Sequence, residues 1–419
     1  MKIPRIFYGY WVLAACFLLN VLSAGCGPIS FSFFVTSLEK ALGWNRTEIM
    51  TGFTLFFISA AVSGPFAGRM VHHYGARKVI STGALSATIG YILLSQTSSY
   101  WHFYVGYALV GAGVAATGPV ITTLVISNWF VRHRGAAIGA MSMGAGTAGM
   151  IFTPLVIVYL LPNIGWDNTY IVYAAVTGGL SIPLAALVVR TRPADKGLLP
   201  DGRDALDIAG IEEDRAITTR GLPFKNALAT QAFWLLAIAI LLVSTHMGVM
   251  QNQIPHLEDL GFSAGIVAAT MSIVAVMSTL GTLIFGWLSD RMRVKTTGII
   301  SVVLLTASII MLINININSP HLFIWTFAFT LGLGIGGWMP IMSLLTSANF
   351  GLIAYGTIYG AMNACQSIGA AAAPIFSGYF YDRTGNYDIA FIIIVIAVAL
   401  GIPLILAIRR PGPYLTGGR

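Results

Sequence analysis

Residues 101–127 read WHFYVGYALVGAGVAATGPVITTLVIS, 27 positions without one Lys, Arg, Asp or Glu. About 20 apolar residues, wound into a helix, cross a hydrocarbon core about 30 Å thick. Eleven further stretches share the property: 8–33, 49–68, 79–97, 135–160, 168–189, 231–255, 263–288, 297–316, 320–347, 355–380 and 389–408. Every ionised side chain therefore belongs to a loop or a helix end. The pattern predicts an all-α integral membrane protein with 12 transmembrane helices.

Composition agrees. Of the 419 residues 56% are hydrophobic and only 9% charged, with a mean hydropathy of +0.80. Soluble domains carry about 25% charged residues. A net charge of +8 is compatible with nucleic acid, but its distribution points to the membrane. With the N-terminus placed inside, 20 of the 23 Lys and Arg residues fall in inside segments, leaving Lys40, Arg46 and Arg383 outside. That asymmetry is the positive-inside bias, so both termini are expected on the cytoplasmic face of the cell membrane. The first stretch is too long for a signal peptide and lacks a clear cleavage site, so it reads as a retained helix. Cys16, Cys26 and Cys365 all lie within spans and read as small apolar packers.

The chain also repeats itself. Gly111, Gly113, Pro119, Asn128, Gly135 and Gly139 recur 221 residues later as Gly332, Gly334, Pro340, Asn349, Gly356 and Gly360. Leu38-Glu39 recurs as Leu257-Glu258, and Gly68 as Gly286. A run of Gly, Pro and Asn in one register implies duplication. We expect two pseudo-symmetric six-helix bundles, 1–189 and 231–419, joined by a cytoplasmic linker, 190–230, rich in charge, Gly and Pro. Parallel six-helix repeats are the layout of alternating-access carriers, whose site lies near the midplane between the halves. The matched glycines are expected on interior faces, where small residues let backbones approach.

Gly68-Arg69-Met70-Val71-His72-His73-Tyr74-Gly75-Ala76-Arg77-Lys78 follows the second stretch, and Gly286-Trp287-Leu288-Ser289-Asp290-Arg291 follows the eighth. Both resemble the loop signature of the major facilitator superfamily: a glycine, an acidic residue four later, then basic residues. The resemblance implies the major facilitator fold and a gate. A helix-end carboxylate can pair with basic groups or helix N-termini across the cytoplasmic face in one state only. Gating is expected of Asp290, Arg291 and His72, although His72 departs from the pattern by replacing the acid. The plainer alternative is that these residues only hold loops at the interface. His72 and His73 are not expected to bind metal, because adjacent helical histidines point apart and no third ligand is evident.

Tyr8-Gly9-Tyr10-Trp11, Gly43-Trp44-Asn45-Arg46 and the run from Asn128 to Gly139 are similar to bacterial members of the monocarboxylate and oxalate–formate carrier group. So is Ile254-Pro255-His256-Leu257-Glu258-Asp259-Leu260-Gly261. Carriers of that group with known carboxylate sites place an arginine in the eighth span, and the oxalate type adds a lysine in the eleventh. Neither is present here. Tyr107 also stands in span four, ahead of Gly111 and Gly113, where many proton-coupled facilitators have arginine. A dianion would lack fixed counter-charges; a monocarboxylate or neutral solute remains open.

Polar residues in lipid-bounded helices are costly and usually face the interior. Tyr359, Asn363 and Gln366 follow i, i+4, i+7 and share a face; His246 and Gln253 are seven apart; Asn20 and Ser23 share a face. With Trp338 and Tyr107 these are the candidate solute contacts. For each the plain alternative is packing or interhelical hydrogen bonding, which is the favoured reading of Asn20. The repeat partners of Asn363 and Gln366 are Ser142 and Ala145, so their polarity belongs to one half alone. His246 is the one histidine well inside a span and can exchange protons at physiological pH. The other proton-coupling candidates are Glu39, Glu258 and Asp382.

These features predict a secondary transporter of a small organic solute, a monocarboxylate moved with a proton. The alternative is an exporter or exchanger of a neutral or drug-like solute; inhibition by hydrophobic cations without carboxylate binding would favour it. An enzyme would need a paired carboxylate or a nucleophile–base pair in or beside a span, and none is visible. No nucleotide-binding loop occurs. We therefore expect no cofactor, no metal, no nucleic-acid partner, and a monomer in the lipid bilayer.

Overall fold

The computed structural model describes residues 7–130, 134–200, 221–351 and 354–409, with the side chains at 72, 134–136, 290 and 356 outside the description. The secondary structure is helical, as lipid demands: with no water to satisfy them, backbone groups must bond within their own segment. Ten described helices are long and apolar enough to cross a membrane. One of them, Ala137–Val188, breaks at Gly165, whose φ of 80° no helix accommodates, and so makes two passes. The 30-residue helix Tyr355–Thr384 is as long, but Asn363, Gln366 and Ser367 make it more polar. Among the described residues twelve long helices result: α1 Tyr8–Leu42, α2 Arg46–Tyr74, α3 Ala76–Ser95, α4 Tyr100–Trp129, α5 134–164 and α6 166–188. Then follow α7 Gln231–Asp259, α8 Ala264–Arg291, α9 Val294–Ile313, α10 His321–Phe350, α11 Tyr355–Thr384 and α12 Asp388–Ala407.

The chain divides into two compact units, Met1–Asp207 and Ile208–Arg419. In the first, α2 and α3 pack on α4, α1 packs on α5, and α3 on α6. The second repeats this helix for helix: α8 and α9 pack on α10, α7 on α11, and α9 on α12. The repeat-matched glycines divide into two kinds. A Cβ on Gly111 would strike the backbone of Phe56, and one on Gly332 would lie 2.5 Å from the Val274 carbonyl oxygen. Gly113 likewise faces the Gly83 carbonyl, and Gly334 the Leu305 side chain. These four let α4 and α10 touch their neighbours backbone to backbone. Gly68, Gly286, Gly139 and Gly360 instead face open space, which corrects the expectation that all matched glycines serve close packing.

Local breaks follow from proline. In α1 the turn at Gly25–Ile29 widens and Gly27 leaves helical geometry (φ −92°, ψ −113°) because Pro28 has no N–H to continue the ladder. The loosened carbonyls find partners: Tyr91 Oη donates to Cys26 O at 2.7 Å, and Ser30 Oγ donates to Gly25 O. In α4, Gly118 turns extended ahead of Pro119 (ψ −159°), as the residue before proline prefers. The matched position before Pro340 is Met339, and α10 runs through without a break.

The described ends of the linker are tied to matching places. Trp129 Nε1 donates to Arg190 O at 2.8 Å and Asn128 Nδ2 to Thr191 O at 3.0 Å, at the end of α4. At the end of α10, the Leu222 N–H donates to Phe350 O at 2.8 Å. Residues 201–220 of the expected linker lie outside the described residues.

Candidate solute site

The polar residues expected at the site separate into three settings. In the first unit, Asn20 is buried and Nδ2 donates both to Cys16 O (2.8 Å) and to Thr122 Oγ1 on α4 (3.0 Å). It ties α1 to α4. Tyr107 sits inside an aromatic cluster: its hydroxyl is 2.8 Å from that of Tyr170, and its ring lies edge-on to Phe31 and Phe103. Tyr170 in turn stacks on Phe34, with centroids 4.3 Å apart. This packed core gives Tyr107 a place among rings.

In the second unit, three candidates lie on α10 and α11, and two contacts join the helices near them. Gln366 Nε2 reaches Met339 Sδ (3.6 Å), the residue next to Trp338. Tyr359 stacks on Tyr355, whose hydroxyl bonds Ser343 Oγ on α10 at 2.6 Å. Trp338 is 1% exposed, and its Nε1 has no protein partner among the described residues. Asn363 is exposed and Tyr359 half-buried. An indole N–H, an amide and a phenol are groups of the kind that can hydrogen-bond a small polar solute.

The third setting is α7 beyond Thr245. Residues 246–257 are buried apart from Met247 and Met250, although this segment carries two histidines, two glutamines and an asparagine. Close backbone approach to α11 explains part of that burial. A Cβ on Gly248 would lie 2.9 Å from Ala373 O, and Gly369 packs on Leu241 and Ser244. His246 Nδ1 lies 2.7 Å from Val243 O. A carbonyl oxygen only accepts, so Nδ1 carries the proton of that bond and Nε2 is left as the second ring position. Nε2 is buried without a protein partner among the described residues. Gln253 is on the same face, also buried.

The remaining candidates are at helix ends. Arg291 places its guanidinium 3.9 Å from the Trp287 ring centroid, a cation–π contact within α8. The His72 and Asp290 side chains, also expected at the gate, lie outside the described residues. Glu39 pairs with Arg46 at 3.0 Å. Glu258 is half-buried, and Asp382 exposed at the end of α11. No group of three metal-ligating side chains occurs among the described residues.

Sequence reasoning missed Thr122, Met339, Tyr355 and the burial of Arg46. The first three are ordinary residues made relevant only by a neighbour on another helix. Arg46 had a signal: it follows Asn45, whose N–H is capped by the Glu48 carboxylate at 2.9 Å, which fixes it in the first turn of a buried helix end.

A family model described as Major Facilitator Superfamily matches residues 13–374. Monocarboxylate transporter 13 of Rattus norvegicus is 24% identical over 396 residues, covering 92% of this chain and 85% of that protein. The oxalate:formate antiporter of Oxalobacter formigenes is 26% identical over 295 residues, 70% of this chain and 65% of that one. The crystal structure of a D-xylose–proton symporter matches with a TM-score of 0.75 at 14% identity, over 98% of this chain and 99% of that chain, which is a likeness of fold. With its twelve helices in two repeated units and this match along most of its length, the chain belongs to the major facilitator superfamily and is a multi-pass membrane transporter.

Proposed function

We propose that the protein is a secondary active transporter that carries a small monocarboxylate together with a proton by alternating access. His246 carries this reading: a buried titratable ring inside a membrane-spanning helix, with one nitrogen occupied and the other open. The similarity to a monocarboxylate transporter over 92% of the chain supports the choice of solute.

The chemistry follows from a missing charge. Among the described residues the only buried Lys or Arg is Arg46, already paired with Glu39. A carboxylate entering the spans would have no fixed cation, and a bare anion there is costly. A proton on His246 Nε2 makes an imidazolium and supplies the cation. Solute and proton then favour each other's binding, and the empty site stays neutral. In a coupled carrier either ligand alone should bind poorly.

In this reading 1–189 and 231–419 are the two bundles, 190–230 is a cytoplasmic linker, and both termini face the cytoplasm of the cell in a monomer. Trp338, Gln366, Asn363, Tyr359 and Gln253 supply hydrogen bonds to the solute. Asp290, Arg291 and His72 form the gate, while Glu39, Glu258 and Asp382 are the alternative proton sites.

The test is exchange in proteoliposomes preloaded with a labelled monocarboxylate. External monocarboxylates should exchange with the label, and oxalate-type dianions and neutral sugars should not. Folded protein that ignores every carboxylate but is inhibited by hydrophobic cations would sink the proposal in favour of a drug-like solute.

A further inference from the structure

We propose that a cavity where α9 starts and α10 ends binds a phosphate ester. The inference concerns a ligand other than the carried solute and does not depend on which solute or ion is moved.

The two repeated units treat this place differently. In the first, α3 opens at Ala76, and Thr191 Oγ1, on the chain that follows α6, accepts from the Ala76 N–H at 2.8 Å. Asn128 Nδ2 and Trp129 Nε1, at the end of α4, donate to the carbonyls of Thr191 and Arg190. Three donors thus meet three oxygens of one passing segment. In the second unit the matching helix start and asparagine recur without those oxygens. α9 opens at Val294 with no acidic residue in its first turn, and no side chain caps it among the described residues. Asn349, the repeat partner of Asn128, turns its Nδ2 back to Leu345 O on its own helix at 2.7 Å. Phe350 replaces Trp129. After α12, Arg410 and Pro411 stand where the first unit has Thr191, and neither has a side-chain oxygen.

A cavity of about 570 Å³ lies at this place, between Arg293, Val294 and Lys295 at the start of α9 and Leu345, Ala348 and Asn349 near the end of α10. Small-molecule sites have volumes of about 300–1,000 Å³. Asn349 is 3% exposed, and no group among the described residues donates to its Oδ1. Arg293 is exposed and has no carboxylate partner among the described residues. Lys295 donates to Ile408 O and brings a second positive charge to the same wall.

These groups select an anion. The first turn of a helix presents N–H groups without intrahelical partners and the positive end of its dipole, and Arg293 and Lys295 add to that field. A phosphate has enough oxygens to meet the helix start and a guanidinium at once. The volume exceeds what a phosphate alone fills, and Asn349 Oδ1 is an acceptor that suits a hydroxyl on the rest of the ligand. A phosphoglycerol group has both features. It is found on the headgroup of an anionic phospholipid and in soluble glycerol phosphate.

The test is thermal unfolding of the purified full-length protein in detergent. It is titrated with short-chain phosphatidylglycerol, short-chain phosphatidylcholine, glycerol 3-phosphate and glycerol. Phosphatidylglycerol or glycerol 3-phosphate should raise the unfolding temperature, while phosphatidylcholine and glycerol should not. A response to the lipid alone identifies a headgroup site, and a response to both identifies the ester itself as sufficient. Arg293→Gln should weaken binding about tenfold, the worth of one charge-assisted hydrogen bond. Arg293→Asp puts an acid at the helix start; it should abolish the response and unfold at a higher temperature than wild type without ligand. Should the Arg293 variants not fold, Asn349→Ala replaces them, with an expected loss of about threefold. Arg77→Gln is the control, since its helix start is already met by Thr191, and it should respond as wild type does. No response to either phosphoglycerol compound, a response undiminished in the folded variants, or an equal loss in Arg77→Gln would each overturn the proposal.

Discussion

Arg46 is almost wholly buried at the first turn of α2 and is held by Glu39, 3.0 Å away and about one-third exposed. The pair ties the end of the first helix to the start of the second. Removing one partner of a buried pair leaves an uncompensated charge, whereas removing both is often neutral. Glu39→Gln should destabilise by about 1–3 kcal/mol, less than a fully buried pair because Glu39 meets solvent. The double change with Arg46→Met should recover most of the loss, as thermal unfolding of the three variants would show. If proton-driven uptake survives in the double variant, Glu39 is removed from the coupling candidates.

The two kinds of glycine predict opposite results. Gly111→Ala and Gly332→Ala push a methyl into the backbones of Phe56 and Val274, which cannot give way as a side chain would. Overpacking of that kind costs about 1–3 kcal/mol. Gly139→Ala and Gly360→Ala meet open space and should leave the unfolding temperature unchanged or slightly raised, since alanine favours helix. A comparable loss in all four would contradict the packing described.

Asn20→Ala removes the tie from α1 to Thr122. Interhelical hydrogen bonds in membranes average about 0.6 kcal/mol, so a small loss of stability is expected with solute affinity unaltered. A selective rise in KM with normal stability would instead place Asn20 at the solute.

Tyr107→Phe leaves the buried Tyr170 hydroxyl without its partner at 2.8 Å. The expected effect is about 1–3 kcal/mol of stability, again with KM little changed. Transport lost in a protein of normal stability would give Tyr107 a direct role.

These outcomes mark where sequence reading works. The twelve spans were legible because hydropathy is a one-dimensional property, and the break at Gly165 fell between two of the expected stretches. The duplication was legible from Gly and Pro in one register, and the helix pairings now repeat in both units. The break at Gly118 and the continuity at Met339 were not, although both precede a proline. Nor was the extension of α1 to Leu42, because its last turns are amphipathic rather than apolar. The polar residues could be found but not their duties. Whether Asn20 is already satisfied depends on Thr122, 102 residues away. Whether Gln253 offers a donor or an acceptor depends on which carbonyl its amide has already taken, and no spacing in the sequence records that.

The central claim is that His246 supplies the charge a carboxylate needs by taking up a proton. Its most direct test is accumulation of a labelled monocarboxylate in proteoliposomes, with the outside made acidic, by wild type and by His246→Gln. Wild type should concentrate the label while the gradient lasts and stop when an uncoupler removes it. The variant, shown to be folded, should no longer concentrate it. Accumulation by His246→Gln with undiminished dependence on the gradient would contradict the account.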